Sequence, residues 1–220
     1  MTTPNVQAKA RRGTDEESII EWVTVHKREV TWGVVIVAVI IFGFWYYRRS
    51  QSLRAQRAEA QYFQARQLAV AGNIAGAIAD LQKVAARYEG TQAGTEAALT
   101  LAQSFYEQKK YKDGIAALKK VQDKAPDDFK APVHVLAASG YEELNDFVGA
   151  AAEYKAAASA TRFPADKAQY QASAARDYMT AGKKDEAKAI WTDLAKPDTG
   201  VIASEAKVRL GEVTAKPMTT

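Results

Sequence analysis

The chain has 220 residues, of which 47% are hydrophobic and 25% are charged, and its 30 lysine and arginine residues exceed its 26 acidic residues by four. These values exclude an intrinsically disordered chain and a membrane protein with many spans, and the basic surplus is too small to indicate a nucleic-acid partner. The absence of cysteine from the sequence excludes disulfides, thiolate zinc sites, a cysteine nucleophile and a lipid-modified cysteine anchor.

The first predicted element lies in the N-terminal tail, residues 1–29. Thr14 and Glu17 have the spacing of a capping box, and apolar residues such as Ile19 and Val23 follow at helical spacing. This pattern predicts a short amphipathic helix that either lies on a membrane surface or contacts a partner protein.

Residues 30–47 are eighteen consecutive residues without a charge, and they predict a transmembrane helix. Such a helix is about 27 Å long at ~1.5 Å per residue, which is just enough for a hydrocarbon core of about 30 Å. Trp32 lies near one end and Trp45 near the other, where aromatic rings prefer the membrane interface. A cleaved signal peptide would end in small residues, whereas this stretch ends in aromatic and arginine residues. A retained single-pass anchor is therefore predicted, and a buried core helix is the alternative.

The charges that flank this stretch bear on its orientation. Two basic residues directly precede it, Lys27 and Arg28, and four follow it closely at positions 48, 49, 54 and 57. Counted alone, this distribution favours a cytoplasmic location for the C-terminal part, because cytoplasmic flanks carry the excess of positive charge. The rule is weak for a long C-terminal domain, since such domains translocate largely regardless of their charge.

From residue 48 to residue 214 the chain repeats a helical pattern. A small residue recurs in steps of 37, 36 and 37 residues, at Ala65, Ala102, Ala138 and Ala175. One further step of 36 residues ends at Gly211. Apolar and aromatic residues follow each small residue at helical spacing. The pattern predicts an all-α solenoid of about four helix pairs with a capping helix, and a disordered tail over residues 215–220. An irregular helical bundle is the alternative.

This pattern resembles the tetratricopeptide repeat in a divergent form. In that family the second, fifth, ninth and twelfth residues of each repeat line a concave groove that binds proteins. The resemblance thus implies a groove whose aromatic, aliphatic and polar side chains suit apolar contact with a protein partner. Among the positions that it assigns to the groove, eight residues are predicted to bind the partner: Tyr62, Arg66, Leu99, Gln103, Tyr106, Val135, Arg176 and Met179.

The sequence lacks the motifs that carry common enzyme chemistry. It has no nucleophile elbow, no zinc-protease motif and no phosphate-binding loop, and its two histidines, His26 and His134, are far apart. We expect His26 to be an interfacial side chain and His134 to be packed or half-exposed. The chain is therefore predicted to be no enzyme, with no catalytic, cofactor-binding or metal-binding residues and no small-molecule substrate.

The order of tail, single anchor and alanine-rich repeats resembles the YfgM family of ancillary subunits of the bacterial Sec translocon. Residues 16–47, 97–106 and 181–191 carry this likeness. It implies a cytoplasmic N-terminus, a periplasmic repeat domain at the inner membrane, and a role in chaperone-linked handling of exported proteins. The implied partners are the SecYEG translocon, the membrane-anchored chaperone PpiD and the lipid bilayer. Two alternatives are a repeat adaptor that faces the cytoplasm and a client-holding chaperone that acts independently of the translocon.

Overall fold

The computed structural model describes residues 24–196 and 200–214, and all regular secondary structure in these ranges is helical. The predicted all-α class is confirmed. The start of the predicted amphipathic helix and the predicted tail at residues 215–220 lie outside the described residues. The nine helices of the described ranges are α1 (Lys27–Val70), α2 (Ile74–Arg87), α3 (Gln92–Glu107), α4 (Tyr111–Val121), α5 (Asp127–Glu143), α6 (Phe147–Ala160), α7 (Pro164–Thr180), α8 (Lys184–Leu194) and α9 (Ile202–Thr214).

Helix α1 contains the predicted span. The chain divides into two compact units, Met1–Leu53 and Arg54–Thr220, and the span belongs to the first. An 18-residue window of α1 has a mean hydropathy of 2.0, and none of it is buried. By length and composition, α1 is long and apolar enough to cross a membrane.

The second unit consists of helix pairs whose turns recur with the period of the sequence. The turn within each pair has a residue with positive φ: Gly72 at 83°, Lys109 at 58°, Asn145 at 57° and Gly182 at 75°. In each turn the next amide nitrogen donates to the carbonyl oxygen five residues earlier, over 2.7–2.9 Å, as in a Schellman motif. The steps between these turns are 37, 36 and 37 residues, so the backbone confirms both the period and the register of the repeat.

The composition of these turns follows from their backbone conformation. Glycine adopts a positive φ without a steric penalty, and asparagine tolerates it because of its short polar side chain. Lysine does not, and a left-handed conformation costs about 1–2 kcal/mol for such a residue. Asn73 and Asp146 follow two of the turns, and each side chain accepts a hydrogen bond from the amide three residues later, capping α2 and α6.

The small residues of the repeat lie where the helices pack closely. Ala65, Ala102, Ala138 and Ala175 are fully buried, as predicted. Larger side chains from the second helices, among them Leu81 and Leu118, fill the space between the repeats. At the C-terminal end, Trp191 is fully buried and packs in one apolar cluster with Ala206 of α9. Helix α9 therefore caps the solenoid, in agreement with the prediction for Gly211.

Candidate protein-binding surface

Four predicted groove residues lie on the first helices of the first two repeats, α1 and α3. The hydroxyl of Tyr62 is 3.0 Å from the Thr100 hydroxyl, which brings these two helices together. The guanidinium of Arg66 lies 5.9 Å from the centre of the Tyr62 ring. Leu99 is half-buried against the core beneath, and Gln103 is exposed. This part of the surface, which we call the α1–α3 face, presents an aromatic ring with a cation over it, an aliphatic side chain and an amide.

Tyr106 is also a predicted groove residue, but the structure gives it a packing role. Its hydroxyl donates to the carbonyl oxygen of Leu136 over 3.0 Å, which links α3 to α5. Its ring fills the space beside Gly114 and Gly140, where a Cβ atom on either glycine would overlap it. Burial raises the pKa of its phenol. Tyr106 therefore fastens the second repeat to the third.

The remaining three predicted groove residues are partly used in internal contacts. Val135 packs against the buried cluster around Ala138, and Met179 packs against the cluster around Trp191. Arg176 donates two hydrogen bonds to the carboxylate of Glu205 in α9, over 2.9 and 2.8 Å. This pairing lowers the pKa of Glu205 and raises that of Arg176, so the pair fastens the capping helix to the fourth repeat.

A buried carboxyl group next to Arg176 was missed by the sequence analysis. Asp177 is only 6% exposed, and its Oδ2 atom has no hydrogen-bond partner among the described residues. Burial, followed by the negative charge of Glu142, raises its pKa to about 7, although Arg176 partly opposes the shift. Burial and Glu142 also raise the pKa of Tyr154 to about 12. Four ionisable groups from α5, α6 and α7 thus meet between the third and fourth repeats.

The repeat register contains the signal that could have identified Asp177. At the equivalent position the preceding repeats have Gln67, Ser104 and Gly140, which are all uncharged. In the preceding interface, Tyr106 occupies the position that Glu142 occupies here, and it packs against Gly140. A tyrosine–glycine contact in one interface is therefore replaced by two carboxyl groups in the next.

His134 takes part in a second polar contact, between the second and third repeats. Its Nδ1 atom lies 2.7 Å from Oε2 of Glu153 in α6 and 3.1 Å from Nε2 of Gln122, the residue that directly follows α4. Its side chain is 14% exposed, in agreement with the prediction that it is packed. Among the described residues, no group of three or more histidine, aspartate or glutamate side chains is placed to hold a metal ion.

A known protein family and a solved structure with similar repeats match the repeat architecture. The family described as a tetratricopeptide repeat-like domain matches residues 21–136. A Podosopora anserina protein with nearly identical TPR-like repeats, of the kinesin light chain type, is 14% identical, over 72% of this chain and 86% of that one, with a TM-score of 0.50. A thermophilic TPR protein of Thermus thermophilus is 19% identical, over 80% and 95% of the two chains, with a TM-score of 0.41. BtubC from P. vanneervenii is 15% identical, over 97% and 94%, with a TM-score of 0.48. No curated protein matches the chain.

Proposed function

The chain belongs to the tetratricopeptide repeat-like domain family, whose solenoids bind other proteins, and we propose that it is a membrane-anchored scaffold that holds a protein partner on its α1–α3 face. The observation that carries this proposal is the arrangement on the first helices of the half-buried Tyr62 ring beside the exposed side chains of Arg66 and Gln103. Aromatic and arginine side chains dominate the energy of protein interfaces because they combine a large contact area with directional polar groups.

Membrane anchoring is supported by the apolar part of α1. Its large side chains, such as Ile36, Phe42 and Trp45, are more than half exposed to solvent. An exposed apolar surface of this length is unfavourable in water and is stabilised by a hydrocarbon environment. Residues 30–47 are therefore proposed as the membrane span, residues 1–29 as the preceding tail and residues 48–214 as the repeat domain.

The more specific proposal is that the scaffold is an ancillary subunit of the Sec translocon, with a periplasmic repeat domain. The tail, single span and alanine-rich repeats, in this order, support it through their resemblance to the YfgM family. SecYEG and a PpiD-like chaperone are then the proposed partners. The second candidate is an adaptor that faces the cytoplasm, and it is favoured by the four arginines that directly follow the span.

Protease accessibility distinguishes these two orientations. If the repeat domain is periplasmic, protease added to intact spheroplasts is expected to digest the chain after about Arg49, and immunoblotting against the repeats would record the loss. Disrupted spheroplasts provide the control for protease sensitivity. Full protection of the repeats in intact spheroplasts would contradict the periplasmic orientation and support the cytoplasmic adaptor.

The binding surface is tested separately from the orientation. Replacing both Tyr62 and Arg66 with alanine is expected to weaken binding to a purified complex of SecYEG with a PpiD-like chaperone by about 2 kcal/mol, roughly thirtyfold. The full chain is reconstituted in nanodiscs, and its affinity and thermal unfolding are measured on the same samples. Phe163→Ala is the control, because it removes an exposed aromatic ring elsewhere in the solenoid.

Two results would contradict binding at the α1–α3 face. One is unchanged affinity of the double variant, combined with loss of binding when residues 30–47 are replaced by an unrelated apolar helix. The other is an equal loss of affinity in Phe163→Ala, which would mean that the effect is not specific to this face.

A further inference from the structure

A groove of about 700 Å³ lies between α2 and α4, the second helices of the first two repeats. Its floor is apolar and includes Leu101, Phe105 and Val121. Its walls are built from alanines, Ala85 and Ala86 on α2 and Ala116 and Ala117 on α4. Because these side chains are small, the backbone of an incoming helix can approach closely. The residues at its rim are Gln82, Asp113 and Lys120. The α1–α3 face lies on the first helices, so this groove is a separate surface.

The α4 side of the groove has a symmetric charge pattern. Asp113, Ala116, Ala117 and Lys120 follow at intervals of three, one and three residues, which places them on one face of the helix. Asp113 lies in the first turn of α4 and Lys120 in the last turn. Within the part of the chain that the structure describes, neither side chain forms an ion pair. The face therefore has a free negative charge at one end, a free positive charge at the other and two alanines at its centre.

This pattern is complementary to itself in one orientation only. If a second α4 lies antiparallel across the midpoint between Ala116 and Ala117, each Asp113 is opposite the Lys120 of the other copy. In a parallel arrangement, each charge would be opposite a like charge, which is unfavourable. An antiparallel arrangement also aligns the helix dipoles favourably, and it is the arrangement that a twofold axis generates.

We propose that a second copy of this chain occupies the groove, so that two α4 helices pack antiparallel about a twofold axis. The alanines of the two copies lie against each other at the centre, and two Asp113–Lys120 pairs close the ends. The apolar floor around Phe105 is covered on both copies. The charge pattern favours a second copy over an unrelated helix, because each copy supplies the aspartate of one Asp113–Lys120 pair and the lysine of the other. This pairing does not depend on which protein the α1–α3 face binds.

Charge reversal tests the pairing on the full chain in detergent micelles, with dimerisation measured by sedimentation. Asp113→Lys places two lysines opposite each other at both ends, and Lys120→Asp does the same with aspartates. Each single variant is expected to raise the dimer dissociation constant at least tenfold. The double variant, and an equal mixture of the two single variants, are expected to return to within about threefold of the unmodified chain, because both restore opposite charges. Lys188→Asp, an exposed reversal on α8, is the control.

Cross-linking tests the same geometry by position. Because the chain contains no cysteine, a mixture of Ala116→Cys and Ala117→Cys chains is expected to form a covalent dimer on mild oxidation, whereas Ala152→Cys on the exposed side of α6 is not. A chain that stays monomeric at every concentration overturns the proposal and leaves the groove to a helix of another protein. A dimer that persists unchanged in both single charge reversals also overturns it, since the contact would then lie elsewhere.

Discussion

Replacing Tyr106 with alanine is expected to lower the free energy of unfolding by about 3 kcal/mol, within the range for truncating a large aromatic side chain in a packed site. The ring fills the space between α3, α4 and α5 beside Gly114 and Gly140, so its removal leaves a cavity at the junction of two repeats. The variant also leaves the carbonyl oxygen of Leu136 without the Tyr106 hydroxyl. Chemical denaturation of the variant and the unmodified chain measures the difference.

Two further variants separate the contributions of Tyr106. Tyr106→Phe keeps the ring and loses only the hydrogen bond to Leu136, so a loss of about 1 kcal/mol is expected. Gly140→Ala introduces a Cβ atom that overlaps the Tyr106 ring, and it should destabilise the unmodified chain by about 1–3 kcal/mol. Gly140→Ala should lower the free energy of unfolding much less when residue 106 is alanine, because the space beside Gly140 is then open. Additive effects of the two changes would contradict direct packing between these residues.

The behaviour of Tyr106 shows which features the sequence could predict. Period and register were predictable because each repeat brings the same local requirements: a buried small residue such as Ala102, and a turn in which residues such as Gly72 and Asn145 adopt a positive φ. The use of an individual surface position was not predictable in this way. The twelfth residue of a repeat lines a groove only if the next repeat leaves it exposed, and Gly140 instead provides a space that Tyr106 fills.

The same limit applies to charged residues on the predicted groove. Arg176 occupies a groove position by its repeat number, but its charge is paired with Glu205, which lies 29 residues further along the chain in the capping helix. Only the folded arrangement of α7 and α9 brings these two groups together. In contrast, Arg66 forms no ion pair with a carboxylate among the described residues, and its guanidinium lies 5.9 Å from the centre of the Tyr62 ring, one helical turn away. The charge of Arg66 is therefore not used in an ion pair with another helix, unlike that of Arg176.

The second large effect is expected at Asp177, whose carboxyl group makes the solenoid less stable as the pH rises. Its pKa is about 7 in the folded chain, whereas an aspartate in an unfolded chain has a pKa near about 3.9. The folded state therefore holds this proton more tightly than the unfolded state. The contribution of Asp177 to the free energy of unfolding is therefore greatest below about pH 4 and falls as the pH rises towards 7. Above that pH it stays at its lower value, because the carboxyl group is ionised in both states.

Replacing Asp177 with asparagine should remove this dependence. The amide is neutral at every pH, so at pH 8 the variant is expected to be more stable than the unmodified chain by about 1–3 kcal/mol, the cost of a buried group without adequate partners. At pH 4 the difference should nearly disappear, because the aspartate is then protonated in the folded state. Chemical denaturation at the two pH values measures this, and Asp123→Asn, an exposed substitution on the loop after α4, is the control.

The other charges around Asp177 determine how the result is interpreted. Glu142 opposes ionisation of Asp177, so Glu142→Gln should lower the pKa of Asp177 and reduce the pH dependence. Arg176 favours ionisation, but two of its donors are already used by Glu205, which limits its effect on Asp177.

If Asp177→Asn is instead less stable than the unmodified chain at pH 8, the carboxylate is stabilised in the folded state and the predicted sign is wrong. If the sign is right, the third and fourth repeats are held together more tightly in acid than at neutral pH, because the carboxyl pair between them then carries less negative charge.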